Sequence, residues 1–205
     1  MKNIRKELLI WIQLGGFVAL WIAVLFLSDK ALRIDWEAIK KLPDVVTIYV
    51  VITLLFTKWA WKWRIFRGWL VPLPNLQGTW KGNLHSTWID PVTGQKIAPK
   101  NIVLVIRQTF SSISCVVFTD ESDSYSTTAQ INQDDESGIF RISYNYINRP
   151  RSAVRDRSEI HDGAAILKIV SSPKRKLEGE YWTSRKTTGD ISVEFVSDKL
   201  AQAFE

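Results

Sequence analysis

The sequence predicts an N-terminal two-helix transmembrane hairpin carrying an all-β domain, an eight-stranded up-and-down antiparallel β-barrel. Three observations predict it. Two apolar runs of membrane length lie within the first 61 residues. Eight short alternating segments follow, separated by turn residues, and no stretch of residues 72–195 repeats with a helical period.

The first run, residues 8–27, holds no charge, and Gln13 is its only strongly polar side chain. The second, residues 45–61, holds one charge, Lys58, near its end. A hydrocarbon core of roughly 30 Å is crossed by about 20 helical residues, so the first run spans comfortably and the second just does. Lipid offers no partner for bare peptide groups, so both runs are expected to be helices. The expected division is an anchor, residues 1–71, and a ligand-binding β-barrel, residues 72–205.

Charge divides the chain at the same place. Residues 1–71 carry +6 and residues 72–205 carry 0. A neutral folded domain argues against a binder of DNA or RNA polymers, which spreads basic charge over a folded face. Seven of the ten Trp precede Val71, and Trp59, Trp61, Trp63 and Trp69 crowd the end of the second run among Lys62, Arg64 and Arg67. That mixture suits the lipid bilayer interface, with rings at headgroup depth and cations at phosphates. Lys2, Arg5 and Lys6 flank the first run, against Lys30, Arg33, Lys40 and Lys41 in the connecting loop. The bias of six flanking cations to four favours both termini and the barrel in the cytoplasm of a multi-pass protein. The lone cysteine, Cys115, builds no internal disulfide framework. No small-residue cleavage site follows the first run, which is also too long for a signal-peptide core.

Two prolines, Pro72 and Pro74, forbid helix continuation into the second domain. The strands expected after them cover residues 78–88, 101–109, 112–119, 125–132, 139–147, 164–170, 177–185 and 190–196. Breakers between them include Asp90-Pro91, Ser111-Ser112, residues 120–123, Asn148-Arg149-Pro150 and Ser172-Pro173. Residues 197–204 read as a short terminal helix. Eight strands with brief connections suit a lipocalin-like barrel whose interior holds one small ligand, a sandwich being the competing fold.

Alternation then sorts the faces. Phe140, Ile142, Tyr144 and Tyr146 point inward on the fifth strand, and Ile191, Val193 and Phe195 on the eighth. On the seventh, Leu177, Gly179, Tyr181, Thr183 and Arg185 share the inward face. A buried Arg185 calls for a carboxylate partner or a bound anion. Meander topology brings Trp88, Tyr146, Asn148, His161, Thr183 and Arg185 to one rim. The connection 147–163 at that rim is the longest and most basic, a lid suited to an anion.

Catalytic chemistry finds no foothold, so no enzyme is expected. His85 and His161 are far apart in sequence, and no phosphate loop, nucleophile elbow or dinucleotide fingerprint is present. Neither a metal nor a cofactor is implied. Tyr144, Tyr146 and Tyr181 each read as a core aromatic, the commoner outcome for any one of them; together with Arg185 and Thr183 they also offer a surface for stacked bases and phosphate.

Four stretches carry a family resemblance. Gly78-Thr79-Trp80-Lys81-Gly82 opens the first strand, and Leu177-x-Gly-x-Tyr181-Trp182-Thr183-x-Arg185-Lys186-x-x-Gly189 closes the barrel. Between them lie Tyr144-x-Tyr146-x-Asn148-x-Pro150 and His161-x-Gly163. With the two apolar runs, the chain resembles the two-transmembrane, β-strand-rich effectors of bacterial cyclic-oligonucleotide anti-phage (CBASS) operons. The resemblance implies a cyclic dinucleotide, 3′,3′-linked, made by a cognate nucleotidyltransferase, as ligand. It also implies homo-oligomerisation on activation and disruption of the inner membrane, which kills the infected cell. Within that frame Arg185 is assigned to a phosphate and Tyr144, Tyr146 and Tyr181 to stacking. Thr183, Asn148 and His161 are assigned to base edges or ribose, and Trp80 of the opening motif joins the set. Two other readings stand beside it: a membrane-anchored lipocalin-like fatty-acid carrier, and a structural adaptor with a solidly packed barrel.

Overall fold

A computed structural model describes residues 6–28, 36–90 and 93–204. Lys2, Arg5, Lys30 and Arg33, used above for orientation, and Pro91 of the first breaker lie outside the described residues. The chain divides into two compact units between Pro72 and Leu73.

In the first unit, α1 (Lys6–Leu27) is followed by a single turn, α2 (Trp36–Lys40), and by α3 (Leu42–Lys58). The 18 residues Ile10–Leu27 have a mean hydropathy of 2.2, and among the described residues this is the one helix long and apolar enough to cross a membrane. Its outward side chains include Trp11, 71% exposed, and Phe26, 74% exposed. An apolar surface of that extent is unstable against water. The 17 residues of α3 reach only about 26 Å at 1.5 Å per residue. The helix expected over residues 45–61 is thus shifted three residues toward the N-terminus, with Pro43 in its first turn and its end at Lys58, and a second span is not confirmed. Beyond it the chain makes two single 3-10 turns, Ala60–Lys62 and Arg64–Phe66. The aromatic residues explain the stop. Phe66 packs edge-on against Phe56 at 5.3 Å and stacks with Trp63 at 6.2 Å, so the segment folds back on the end of α3 instead of extending it. α1 and α3 meet where Tyr49 donates its hydroxyl to the Gln13 carbonyl at 3.0 Å and packs edge-on against Phe17.

The second unit is a closed eight-stranded antiparallel barrel. Its strands are β1 (Gly78–Ser86), β2 (Lys100–Gln108), β3 (Ile113–Phe118), β4 (Ser122–Gln133), β5 (Phe140–Pro150), β6 (His161–Val170), β7 (Lys176–Thr183) and β8 (Thr188–Ser197). Each pairs with its neighbour in sequence, and β8 closes on β1 through pairs such as Gly82 with Val193. Closure removes the edge strands that an open sheet would expose. Inward residues of alternating strands fill one half of the barrel with Leu76, Trp80, Leu104, Ile106, Ile142, Leu167, Leu177 and Val193, each at most 2% exposed. The face assignments for β5 and β8 hold throughout.

Expectations change at several strand ends. Residues 148–150 were expected to break the fifth strand, yet β5 runs to Pro150, which pairs with Ser122 as the last residue of its strand. Proline is tolerated there because a terminal position makes little demand for a ladder N–H. His161 likewise begins β6 and pairs with Asn148. Residues 198–204 do not form a helix. Thr79 Oγ1 donates to the Lys199 carbonyl and accepts from the Ala201 N–H, while Leu200, Ala201 and Phe204 cover Val103, Val105 and Phe118 on the outer wall. Those cross-barrel contacts hold the segment irregular.

Candidate functional site

The half of the barrel opposite Trp80 is not packed solid. It encloses a cavity of about 810 Å³, opening at the rim where β1, β3, β5 and β7 end. Volumes of roughly 300–1,000 Å³ are usual for small-molecule sites.

Tyr146 and Tyr181 line its base. Each ring lies over a glycine of the neighbouring strand: a Cβ at Gly163 would collide with the Tyr146 phenol, and one at Gly189 would strike Tyr181. The glycines of the two sequence motifs therefore make room for flat rings against the wall. Burial raises both phenols above the usual tyrosine range, so they stay neutral hydrogen-bonding aromatics.

Above them runs a polar row set by register, Ser124 opposite Asn148 and Asn148 opposite His161. Ser124 Oγ donates to Asn148 Oδ1 at 2.8 Å, which orients the amide with its NH₂ as the remaining donor. His161 Nδ1 lies 2.7 Å from the Glu159 carbonyl. Burial holds this imidazole below its ordinary value, with Arg185 adding to the effect against the Glu159 carbonyl and Asp162. A neutral His161 then donates from Nδ1 and presents Nε2 as an acceptor.

The rim carries charge. Glu121, in the tight turn between β3 and β4, binds Lys100 through one carboxylate oxygen and Arg157 through the other. Burial pushes the Glu121 carboxyl up, but the hydrogen bonds and charges of Lys100 and Arg157 outweigh it and hold the group below the usual range. Arg185 also lines the cavity and donates to Ser158 Oγ at 3.2 Å.

Of the eight residues singled out from sequence, the fold brings Tyr146, Asn148, His161, Tyr181, Thr183 and Arg185 to this cavity. Thr183 is already engaged, sharing a 2.6 Å hydroxyl contact with Thr187 across the β7–β8 turn. Two lie elsewhere. Tyr144 is one layer deeper, buried in the core. Trp80 belongs to the packed half: its indole N–H donates to the Leu76 carbonyl at 3.0 Å and its ring meets Phe195 edge-on at 5.3 Å. Arg185 is also not on the inward face of a strand. β7 ends at Thr183, the Thr183 N–H bonds the Thr187 carbonyl, and Lys186 takes a φ of 63°, so the chain has left the pleat and Arg185 is exposed.

The inward cation is Lys100. It shares parity with Ile102, Leu104 and Ile106 on β2, a signal present in the alternation but cut off by starting the strand at Asn101. Arg157 sits in the connection expected to be basic. Glu121, a turn acid, carried no sequence signal at all. Together, flat neutral phenols below and cations above make a cavity suited to an anion with aromatic faces.

Comparison with known proteins agrees with that chemistry. The family model described as Cap15, cyclic dinucleotide receptor domain, matches residues 71–194, which takes in β1 to β7 and most of β8. CD-NTase-associated protein 15 of Staphylococcus schleiferi is 29% identical over 180 residues, covering 87% of this chain and 91% of the relative. With a barrel of the expected strand number inside the matched span, the chain belongs to the Cap15 cyclic dinucleotide receptor domain family.

Proposed function

We propose that the barrel binds a cyclic dinucleotide in the mouth cavity and that the chain is a membrane-anchored effector of CBASS anti-phage defence. One observation carries the reading: a cavity of about 810 Å³ holds two buried tyrosines beneath a rim of Lys100, Arg157 and Arg185. A cyclic dinucleotide presents two bases and two phosphates. Base stacking on an aromatic ring contributes roughly 1–3 kcal/mol per base, and hydrogen bonds to a charged group about 1.5–3 kcal/mol each. Asn148 and His161 supply one amide donor and one ring acceptor for base edges. The family match and the CD-NTase-associated relative support the same ligand class, supplied by a cognate nucleotidyltransferase. A fatty-acid carrier fits less well, since an alkyl chain makes no use of the Asn148 amide or the His161 ring acceptor.

In this reading α1 spans the inner membrane and α3 is a shorter second span, with Trp59, Trp63, Arg64 and Arg67 at the interface and the barrel in the cytoplasm. A short span is accommodated by local thinning of the bilayer or by self-association. Ligand binding drives homo-oligomerisation and membrane disruption, which requires that the ligand favour the assembled state.

A thermal-shift screen of the full chain in detergent tests the proposal, against cyclic di- and trinucleotides and fatty acids. A ligand at 100 times its Kd adds about 2.7 kcal/mol. A cyclic dinucleotide hit is expected. A fatty-acid hit would establish the carrier instead, and silence across the panel would overturn the receptor reading. Removal of residues 1–71 should abolish toxicity in cells making the ligand; killing that persists would overturn membrane disruption.

A further inference from the structure

The Glu121 carboxylate is the feature of the cavity that an anion receptor does not require. It projects from the turn Thr119–Ser122, which is locked: the Thr119 N–H bonds the Ser122 carbonyl, and Thr119 Oγ1 accepts from the N–H groups of Glu121 and Ser122. Its two oxygens each take a different cation, Lys100 from the start of β2 and Arg157 from the connection between β5 and β6. The same residue's carbonyl accepts from the Arg151 N–H at 2.8 Å. All three charged side chains line the cavity. Lys100 and Glu121 are substantially shielded, with side chains 30% and 25% exposed. One acid thus occupies two rim cations and ties down both ends of the connection 151–157.

We propose that Glu121 is a built-in stand-in for a ligand phosphate: it holds Lys100 and Arg157 until a phosphate takes both cations from it, releasing the segment 151–157. The inference rests on the cyclic dinucleotide reading for the identity of the ligand, but not for the exchange itself. A phosphate presents the same paired oxygens as a carboxylate with comparable charge, so it meets the same two donors. The exchange acts as a threshold. An anion with one phosphate gains little over the carboxylate it displaces, whereas two linked phosphates bring a second charge to the rim.

The test compares the full chain and Glu121→Gln in detergent, titrated with pyrophosphate and, separately, with the cyclic dinucleotide panel. Glutamine keeps the size of the side chain and removes the competing charge. The variant is expected to bind pyrophosphate about tenfold more tightly, the scale of one charged contact, with a steeper loss of affinity as salt rises. Adding Lys100→Met to the variant should cancel the gain. Glu121→Ala is expected to move affinity in the same direction and serves where the glutamine variant does not fold. Pyrophosphate affinity that is unchanged or weaker in the folded variant overturns the inference. If the parent takes no cyclic dinucleotide while Glu121→Gln still gains on pyrophosphate, the ligand reading fails and the exchange stands.

Discussion

The two halves of the barrel share eight strands and one alternating pattern, yet they do opposite things with their inward side chains. Near the linker, Leu76, Trp80, Leu167 and Val193 pack into one core cluster, each at most 2% exposed. Near the mouth, the same inward parity delivers Tyr146, Asn148, Tyr181 and Lys100 around open space. The difference lies in side-chain chemistry and in glycine. Branched aliphatic residues fill the first half, whereas Gly163 and Gly189 let tyrosines lie back against the wall of the second. On the proposed function one half supplies stability and the other recognition, and substitutions should separate them.

The largest effect is expected in the packed half. Leu167 is fully buried, and Leu167→Ala removes its contacts and leaves a cavity, costing about 2–5 kcal/mol. Thermal unfolding should show a drop in Tm of several degrees, while the ligand-induced shift of the folded fraction survives. A variant that loses ligand response while keeping its Tm would break the division between the halves.

The converse is expected from Tyr146→Ala. The ring already borders open space, so stability falls less than for Leu167, but one stacking surface is gone. Affinity for the cyclic dinucleotide should fall by about tenfold or more, from a stacking contribution of roughly 1–3 kcal/mol, measurable by calorimetry. An unchanged affinity would move the base away from Tyr146.

The smallest effect is a pH dependence centred on His161. Its folded pKa lies below the ordinary imidazole value because burial disfavours the charged ring. The sign follows directly: the contribution to stability is present above the unfolded value of about 6.5 and is lost as pH falls toward the folded value. The neutral ring accepts from a base edge at Nε2 and protonation removes that acceptor, so affinity should fall a few-fold as pH falls through the same window. His161→Gln should flatten both profiles. A binding profile that stays sloped in His161→Gln would assign the proton to another group.

Much of the architecture was legible because alternation is local. A run such as Phe140, Ile142, Tyr144, Tyr146 declares one buried face without reference to any other strand, and eight such runs with short turns leave few all-β solutions. The apolar character of α1 was equally plain from composition. The end of α3 was not, because Trp63 and Phe66 stop the helix through contacts that hydropathy does not encode.

By itself the sequence determined the strand number, the faces of β5 and β8 and the family resemblance that the later match bore out. It also singles out Tyr146, Tyr181, Asn148 and His161, together with Tyr144, Trp80, Thr183 and Arg185. Only the tertiary structure decided which of them share a space. It placed Trp80 in the packed half, carried Arg185 out of its strand into a turn, and set Lys100, Glu121 and Arg157 against one another across gaps of 21 and 36 residues. Periodicity reports which way a side chain points from its own backbone. Closure of the barrel and the geometry of its turns report what it meets there, and a binding site consists of such meetings.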